Sequence, residues 1–301
     1  MMHGLGLYVR RISRSRHGTP AEFAKKCADH GLRWIALGGL WQDEAGGKPT
    51  SKMINSIKTI HDYGRDLEAR GVRVFVWGYP WLGREAAFVD RMLAAAAPFR
   101  RILLDPELGA NPSRSSRGIG KERANIGAKR LVELFAESKG LDVLGLSTFG
   151  SGWRMGWFPL EAYTRALVER FGGRCFIGGQ TYTDDAVIDG SIAGFAKVIE
   201  KVGGVVMRPS ISPGPRWGVE IVPNFGTYTW QAPNGKRGKR VRGAKAKPKT
   251  VAELRAHLFE FVDEDEPVDA MIGWAENFLT AELWLELKRA ARLLERGAFR
   301  L

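Results

Sequence analysis

Short apolar runs alternate with longer amphipathic stretches from one end of the chain to the other. The runs Leu5–Arg10, Arg33–Leu37, Val72–Trp77, Ile102–Asp105, Val143–Ser147, Cys175–Gly179, Val205–Arg208 and Met271–Trp274 read as eight strands, apolar almost throughout as buried parallel strands are. Between them, 3.6-residue patterns carry helix punctuation. Thr19-Pro20 caps and opens a helix that stops at His30-Gly31, Ser51–Arg70 closes at Gly71, and Arg84–Ala97 stops before Pro98. Lys121–Ser138, Pro159–Phe171 and Ser191–Val202 end at Gly140, Gly172 and Gly203, and Thr250–Val262 and Thr280–Arg296 flank the last strand. Eight strand–helix units in 301 residues predict an α/β fold, a single (β/α)8 TIM barrel spanning 1–301. A doubly wound sheet is the alternative. No Gly-rich dinucleotide turn follows the first strand, and Gly150-Ser-Gly152 with Gly156 has the wrong spacing for one.

One connection breaks the rhythm. Residues 209–249, after the seventh strand, are too many for an ordinary βα loop. Phe225-Gly-Thr-Tyr-Thr-Trp230 alternates as a strand does, and Pro233-Asn-Gly235 is a turn signal, so a hairpin-like insertion over the barrel mouth is expected. Its far part, 236–249, holds eight basic residues and no acidic one. That run reads either as a solvated loop or as a contact for an anionic polymer.

Composition narrows the class. Hydrophobic content of 44% and charged content of 26% are those of a globular protein with a sizeable core. The two cysteines, Cys27 and Cys175, fit neither a metal-ligand spacing nor a disulfide framework and read as reduced, buried thiols. No apolar run approaches the roughly 18 residues a membrane span needs. The N-terminal residues read as a first strand and not as a signal peptide, so the expectation is a protein made in the cytoplasm. Phage encoding, with release by lysis or carriage in a virion, is the expected route to a cell wall. The net charge of +13 implies an anionic partner: an acidic wall polymer, nucleic acid or an anionic surface.

Parallel barrels keep their chemistry at the C-terminal ends of the strands. The fourth expected strand ends in Asp105-Pro-Glu107, and strand alternation points both acids to one face. A single acid there reads as a helix cap or an ion-pair partner for Arg114 or Arg117. Two on one face resist joint ionisation, and a protonated acid beside an ionised one is what glycoside cleavage uses. The other strand ends supply Arg10; Trp41 and Gln42; Trp77, Tyr79 and Trp81; Ser147 and Thr148; Gln180 and Tyr182; Arg208 and Ser210; and Trp274, Glu276 and Asn277. Any one tryptophan reads as core or rim filler. Gathered after the second, third and eighth strands, the aromatic faces suit the C–H faces of pyranose rings, and the amides and acids suit hydroxyls. Glu276 reads as a substrate ligand, a second acid/base partner for Glu107, or a salt-bridge partner of Arg10. The five histidines are scattered, and no HExxH, P-loop or GxSxG motif occurs, so neither a metal nor a cofactor is called for.

These positions resemble the family 18 chitinases. Asp105-Pro-Glu107 is similar to the end of that family's fourth-strand signature, Gln180-Thr-Tyr182 to its sixth-strand Gln-x-Tyr, and Trp274 to the tryptophan flooring its sugar site. The resemblance implies Glu107 as general acid, Asp105 orienting the substrate's N-acetyl group, Tyr182 holding the acetamido oxygen and Trp274 stacking under the sugar. The substrate's own amide is then the nucleophile. The family's two earlier aspartates fall at Arg100 and Leu103, so its signature is incomplete here. The family 25 lysozymes also end a fourth strand in Asp-x-Glu, but carry a first-strand aspartate where this chain has Tyr8-Val-Arg-Arg11. The expected activity is cleavage of an N-acetylated, anionic polysaccharide such as peptidoglycan. The alternatives are a catalytically weak or inactive glycan-binding or structural barrel and, third, a nucleic-acid-binding protein resting on 236–249.

Overall fold

A computed structural model of the chain describes residues 3–45, 48–106, 120–148, 159–179, 197–206, 218–221, 224–226, 228–231, 245–260, 270–274 and 279–295. The strands are β1 (Gly4–Val9), β2 (Leu32–Ala45), β3 (Lys48–Met53), β4 (Arg73–Tyr79), β5 (Arg101–Leu104), β6 (Val143–Thr148), β7 (Cys175–Gly179), β8 (Val205–Val206), β9 (Gly218–Ile221), β10 (Asn224–Gly226), β11 (Tyr228–Gln231), β12 (Lys245–Pro248) and β13 (Ala270–Trp274). The helices are α1 (Arg14–His17), α2 (Pro20–Asp29), α3 (Ile57–Ala69), α4 (Glu85–Ala96), α5 (Gly120–Glu137), α6 (Leu160–Phe171), α7 (Val251–Glu260) and α8 (Ala281–Glu295), with a further helical turn at 197–201. Among the described residues no helix is long and apolar enough to cross a membrane.

The main sheet runs in the order β10-β13-β1-β2-β4-β5-β6-β7-β9-β8, all parallel along that path, with β3 antiparallel to β2. This is the α/β parallel sheet the sequence implied, and one ring contact shows how strongly it curls. β2 and β7 stand four places apart, which in a flat sheet is about 19 Å. Trp34 of β2 nonetheless meets Phe176 of β7 with ring centroids 6.1 Å apart. The sheet therefore wraps around its own interior, as a TIM-barrel-like fold does.

Side-chain alternation sorts each strand between two cores. Leu5, Leu7 and Val9, Val74 and Val76, Ile102 and Leu104, Leu144 and Leu146, and Ile177 pack outward against the helices. Tyr8, Trp34, Ala36, Phe75, Trp77, Tyr79, Leu103 and Phe176 form a separate inner cluster. At its foot Trp34, Phe75 and Phe176 meet edge to face, pairwise 5.6 to 6.1 Å between centroids. Glycines make the room: a Cβ at Gly6 would lie 2.3 Å from the Trp34 ring, and one at Gly145 would lie 2.3 Å from Phe176.

The helix ends follow their caps. Thr19 and Glu22 close a capping box on α2, with the Glu22 carboxylate accepting from the Thr19 amide at 2.7 Å. The third helix departs from the sequence reading. It begins at Ile57, where the Ser56 hydroxyl accepts from the Thr59 amide at 3.1 Å, and residues 51–53 belong instead to β3. β2 runs far past Leu37 and turns back through β3 as a long hairpin.

The seventh strand position also differs. Among the described residues Val205–Val206 pairs only with β9, and β9, not β8, lies beside β7. β10 lies beside β13, so the stretch containing Phe225 and Gly226 joins the main sheet rather than a hairpin. β11 and β12 form a separate antiparallel pair, Trp230 opposite Ala246. Residues 232–244, with the Pro233-Asn-Gly235 turn signal and most of the basic run, lie outside the described residues.

Candidate active site

β1, β4, β5 and β6 run parallel with the first part of β2 and end on the same side of the sheet, where Asp105 directly follows the last residue of β5. Its amide donates to the Gly78 carbonyl at 2.9 Å, extending the β4–β5 ladder by one step. Asp105 shares the parity of Leu103, which belongs to the inner cluster, so its carboxyl is directed into the barrel. Carrying the register one step past Leu104 opposite Leu146 sets Asp105 next to Ser147 on one side and Tyr79 on the other. All three are buried, Asp105 to 1% exposure.

An aromatic wall rises beside it. Trp77 and Tyr79 are buried, while Trp41 and Trp81 are half-buried. Trp77 takes Tyr8 edge-on at 6.0 Å and Trp41 edge-on at 6.4 Å. Trp41 in turn lies flat on Tyr79, and the Arg10 guanidinium is 5.1 Å from the Trp41 ring. The Arg84 guanidinium is 5.9 Å from the Trp81 ring and also donates to the Thr50 carbonyl at 3.0 Å, tying the β2–β3 hairpin to the start of α4. Trp77 and Tyr79 thus hold the wall from beneath, and Trp41 and Trp81 present its accessible part.

Two buried amides fix the loops that carry these groups. Asn55 accepts from the Ile12 amide at 2.9 Å and donates to the carbonyls of Arg10 at 3.0 Å and Gly38 at 2.7 Å. Gln42 accepts from the Trp81 amide at 3.0 Å. Asn55 escaped the sequence reading, because nothing in its neighbourhood along the chain marks it. Beyond Asn55, the β1–α2 connection carries Arg10, Arg11, Arg14 and Arg16, all exposed. His17 closes the same turn from inside, its Nδ1 accepting from the Ser13 amide at 3.0 Å.

Of the residues the sequence nominated, Asp105, Ser147, Trp77, Tyr79, Trp41, Gln42, Trp81 and Arg10 lie on this side of the sheet, linked through the register and the contacts above. Trp274 ends β13, whose backbone pairs with β1 through Gly273 opposite Leu7. Glu107, Gln180, Tyr182, Glu276 and Asn277 lie outside the described residues, as do Arg114 and Arg117.

No protein-family model matches the chain, and no curated protein matches its sequence. Solved structures share its fold. A plant class V chitinase mutant from Cycas revoluta in complex with (GlcNAc)3 aligns with a TM-score of 0.59 at 11% identity, over 97% of this chain and 99% of the other. The endo-1,4-beta-mannanase of Rhizomucor miehei aligns at 0.58 and 8% identity, over 98% and 95%. The spore cortex-lytic enzyme SleL of Bacillus megaterium QM B1551 aligns at 0.55 and 14% identity, over 96% and 74%. The fold is therefore a TIM-barrel-like one of the kind found in family 18 chitinases.

Proposed function

We propose that the protein is a glycoside hydrolase acting on an N-acetylated, anionic glycan such as peptidoglycan. The observation that carries this reading is Asp105, a carboxylate buried and inward-facing at the strand end, beside a wall of Trp41, Tyr79 and Trp81. A glycan threads over the half-buried tryptophans at the mouth of a single (β/α)8 barrel, whose interior is filled by side chains. Glu107, two residues on, is the general acid that protonates the glycosidic oxygen. Asp105 turns the substrate's acetamido group so that its carbonyl oxygen attacks the anomeric carbon, with Tyr182 holding that group. Trp274 floors the site, and Gln180, Glu276 and Asn277 take hydroxyls. Loss of the leaving group is then balanced by the acid's proton, and water later opens the cyclic intermediate.

The preference for an anionic glycan rests on charge. The net charge is +13, and Arg10, Arg11, Arg14 and Arg16 are exposed on the loop after β1. The basic insertion 236–249 adds to the same attraction. A wall polymer reached after lysis, by a phage-borne protein, fits this set. The similarity to a spore cortex-lytic enzyme supports a wall substrate, and the similarity to a mannanase shows that fold alone does not choose the sugar.

A second reading, a barrel that binds glycan without cleaving it, is favoured by Leu103. It fills the inner cluster where the chitinase signature has an aspartate. One comparison separates the two: a chitin tetramer against its fully de-N-acetylated form, with peptidoglycan in parallel. The hydrolase reading expects cleavage of the N-acetylated glycans only, fastest on peptidoglycan and slowed there by salt. Binding of all three without cleavage would select the second reading.

A further inference from the structure

The face opposite the mouth holds a cavity that the proposed hydrolysis does not use. It lies at the N-terminal ends of β5, β6 and β7, has a volume of about 210 Å³, and is lined by Arg100, Lys139 and Arg174 over Phe135, Leu141 and Phe171. Three cations surround it, and no acidic side chain lines it. Arg100 and Asp105 bracket β5, so the cavity is about 16 Å from the mouth through the barrel.

All three cations are exposed at the rim of the cavity, and Arg100 and Arg174 are held in place by their surroundings. The Arg100 carbonyl accepts from the Asp142 amide at 2.7 Å, and its guanidinium pairs with Asp142 at 3.0 Å. Arg174 donates to the Leu141 carbonyl at 3.3 Å and lies 5.4 Å from the Phe171 ring. Among the described residues no carboxylate pairs with Arg174 or Lys139. Among the described non-glycine residues, only Arg100 (φ 57°) and Lys139 (φ 52°) have a left-handed backbone, and both line this cavity. Each follows the end of a helix, α4 or α5, where glycine serves that conformation without strain. The chain instead bears the cost of placing a long cation at both positions. A second, smaller cavity at the same end, between His3, Arg33 and Arg73, is also cationic. Burial, together with Arg73 and Arg33, holds the His3 imidazole below its ordinary range.

We propose that the cavity between Arg100, Lys139 and Arg174 is an anion site that takes a phosphate group, on the face away from the mouth. Lys139 and Arg174 supply the charge-assisted hydrogen bonds, and Arg100, already turned toward Asp142, completes the positive field. The apolar floor carries whatever the phosphate is attached to. A phosphomonoester would make this a small-molecule site; a phosphodiester would make it an anchor for a phosphate-bearing polymer.

The test is thermal unfolding of the full chain with inorganic phosphate, against chloride at matched ionic strength. Glycerol phosphate and a glycerol phosphodiester serve as the arms that separate the two sources. Three proteins are compared: wild type, Lys139→Gly and Arg174→Gln. Lys139→Gly keeps the fold secure, because glycine relieves the left-handed backbone, and its melting temperature without phosphate should equal or exceed that of wild type. The site predicts a saturable, phosphate-specific rise of a few degrees in wild type. It also predicts an apparent affinity reduced at least about fivefold in each variant, the loss of one charge-assisted contact. A wild-type response no larger with phosphate than with chloride would overturn the proposal, as would variants that keep the full phosphate response.

Discussion

Trp41 lies face to face on Tyr79, ring centroids 4.0 Å apart and planes 15° from parallel. Tyr79 is buried at the end of β4 and Trp41 is half-buried on the extended β2, so the stack joins the barrel interior to the wall of the mouth. Trp41→Ala should therefore affect glycan binding more than folding. We expect roughly tenfold weaker binding and a stability loss of about 1–2 kcal/mol, near the upper range for an aromatic pair with one exposed edge. Isothermal titration with a chitin oligomer and urea unfolding read the two effects separately.

Asn55 fastens the loop that carries Arg10 through three hydrogen bonds. Asn55→Ala leaves two carbonyls and an amide without that partner and should cost about 2–3 kcal/mol in urea unfolding. Asn55→Asp keeps the acceptor for Ile12 but sets a carboxylate against the Arg10 and Gly38 carbonyls. It should be the more destabilised of the two at pH 7, and it should recover stability as acid protonates it.

The inner packing makes a sharper demand. A methyl group at Gly6 would lie 2.3 Å from the Trp34 ring, which is already boxed in by Phe75 and Phe176. Gly6→Ala should lower stability by about 3 kcal/mol. Adding Trp34→Phe, whose smaller ring frees the space, should give a double variant less destabilised than the sum of the two. Strict additivity in the double-mutant cycle would show that the two positions do not compete for that space.

Acid stability has a named contributor. Glu286 on α8 is buried and receives two bonds from Arg255 of α7, at 2.9 and 3.0 Å, with Arg289 3.6 Å away. The Arg255 bonds, then the charges of Arg255 and Arg289, hold its carboxyl below the ordinary glutamate value of 4.5. A depressed folded-state value means that the unfolded chain binds the proton first. The pair's stabilisation is therefore present above about pH 4.5 and is lost as pH falls through the lower, folded-state value. Glu286→Gln should reduce the melting temperature at pH 7 and narrow the gap to wild type toward pH 3, as followed by circular dichroism.

Much of this architecture was legible along the chain because strands such as β1, β4 and β5 are buried on both sides. β1, β4, β5, β6, β7 and β13 each stand out as an apolar run. The β2–β3 hairpin did not, since Gln42-Asp-Glu44 and Lys48-Pro-Thr-Ser51 are polar and become strands only through their mutual pairing. The seventh strand position was misread for a related reason. Val205–Val206 has the apolar signature, whereas Gly218–Ile221 and Asn224–Gly226 are separated by a stretch containing Pro223 and are held by β7 and β13 on either side. At the site, Asp105 was legible as an acid ending an apolar run. Asn55 was not, because its partners Arg10 and Gly38 are distant in sequence and meet it only in the fold.

Glycan cleavage with Glu107 as the proposed acid is tested most directly at the reducing ends it would release. Reducing ends released from peptidoglycan should be measured for wild type, Glu107→Gln and Asp105→Asn, each first shown to unfold at the wild-type temperature within a few degrees. Wild type should release them, Glu107→Gln should lose at least about a hundredfold, and Asp105→Asn should show a strong but smaller loss. Release by Glu107→Gln at the wild-type rate would contradict that role for Glu107.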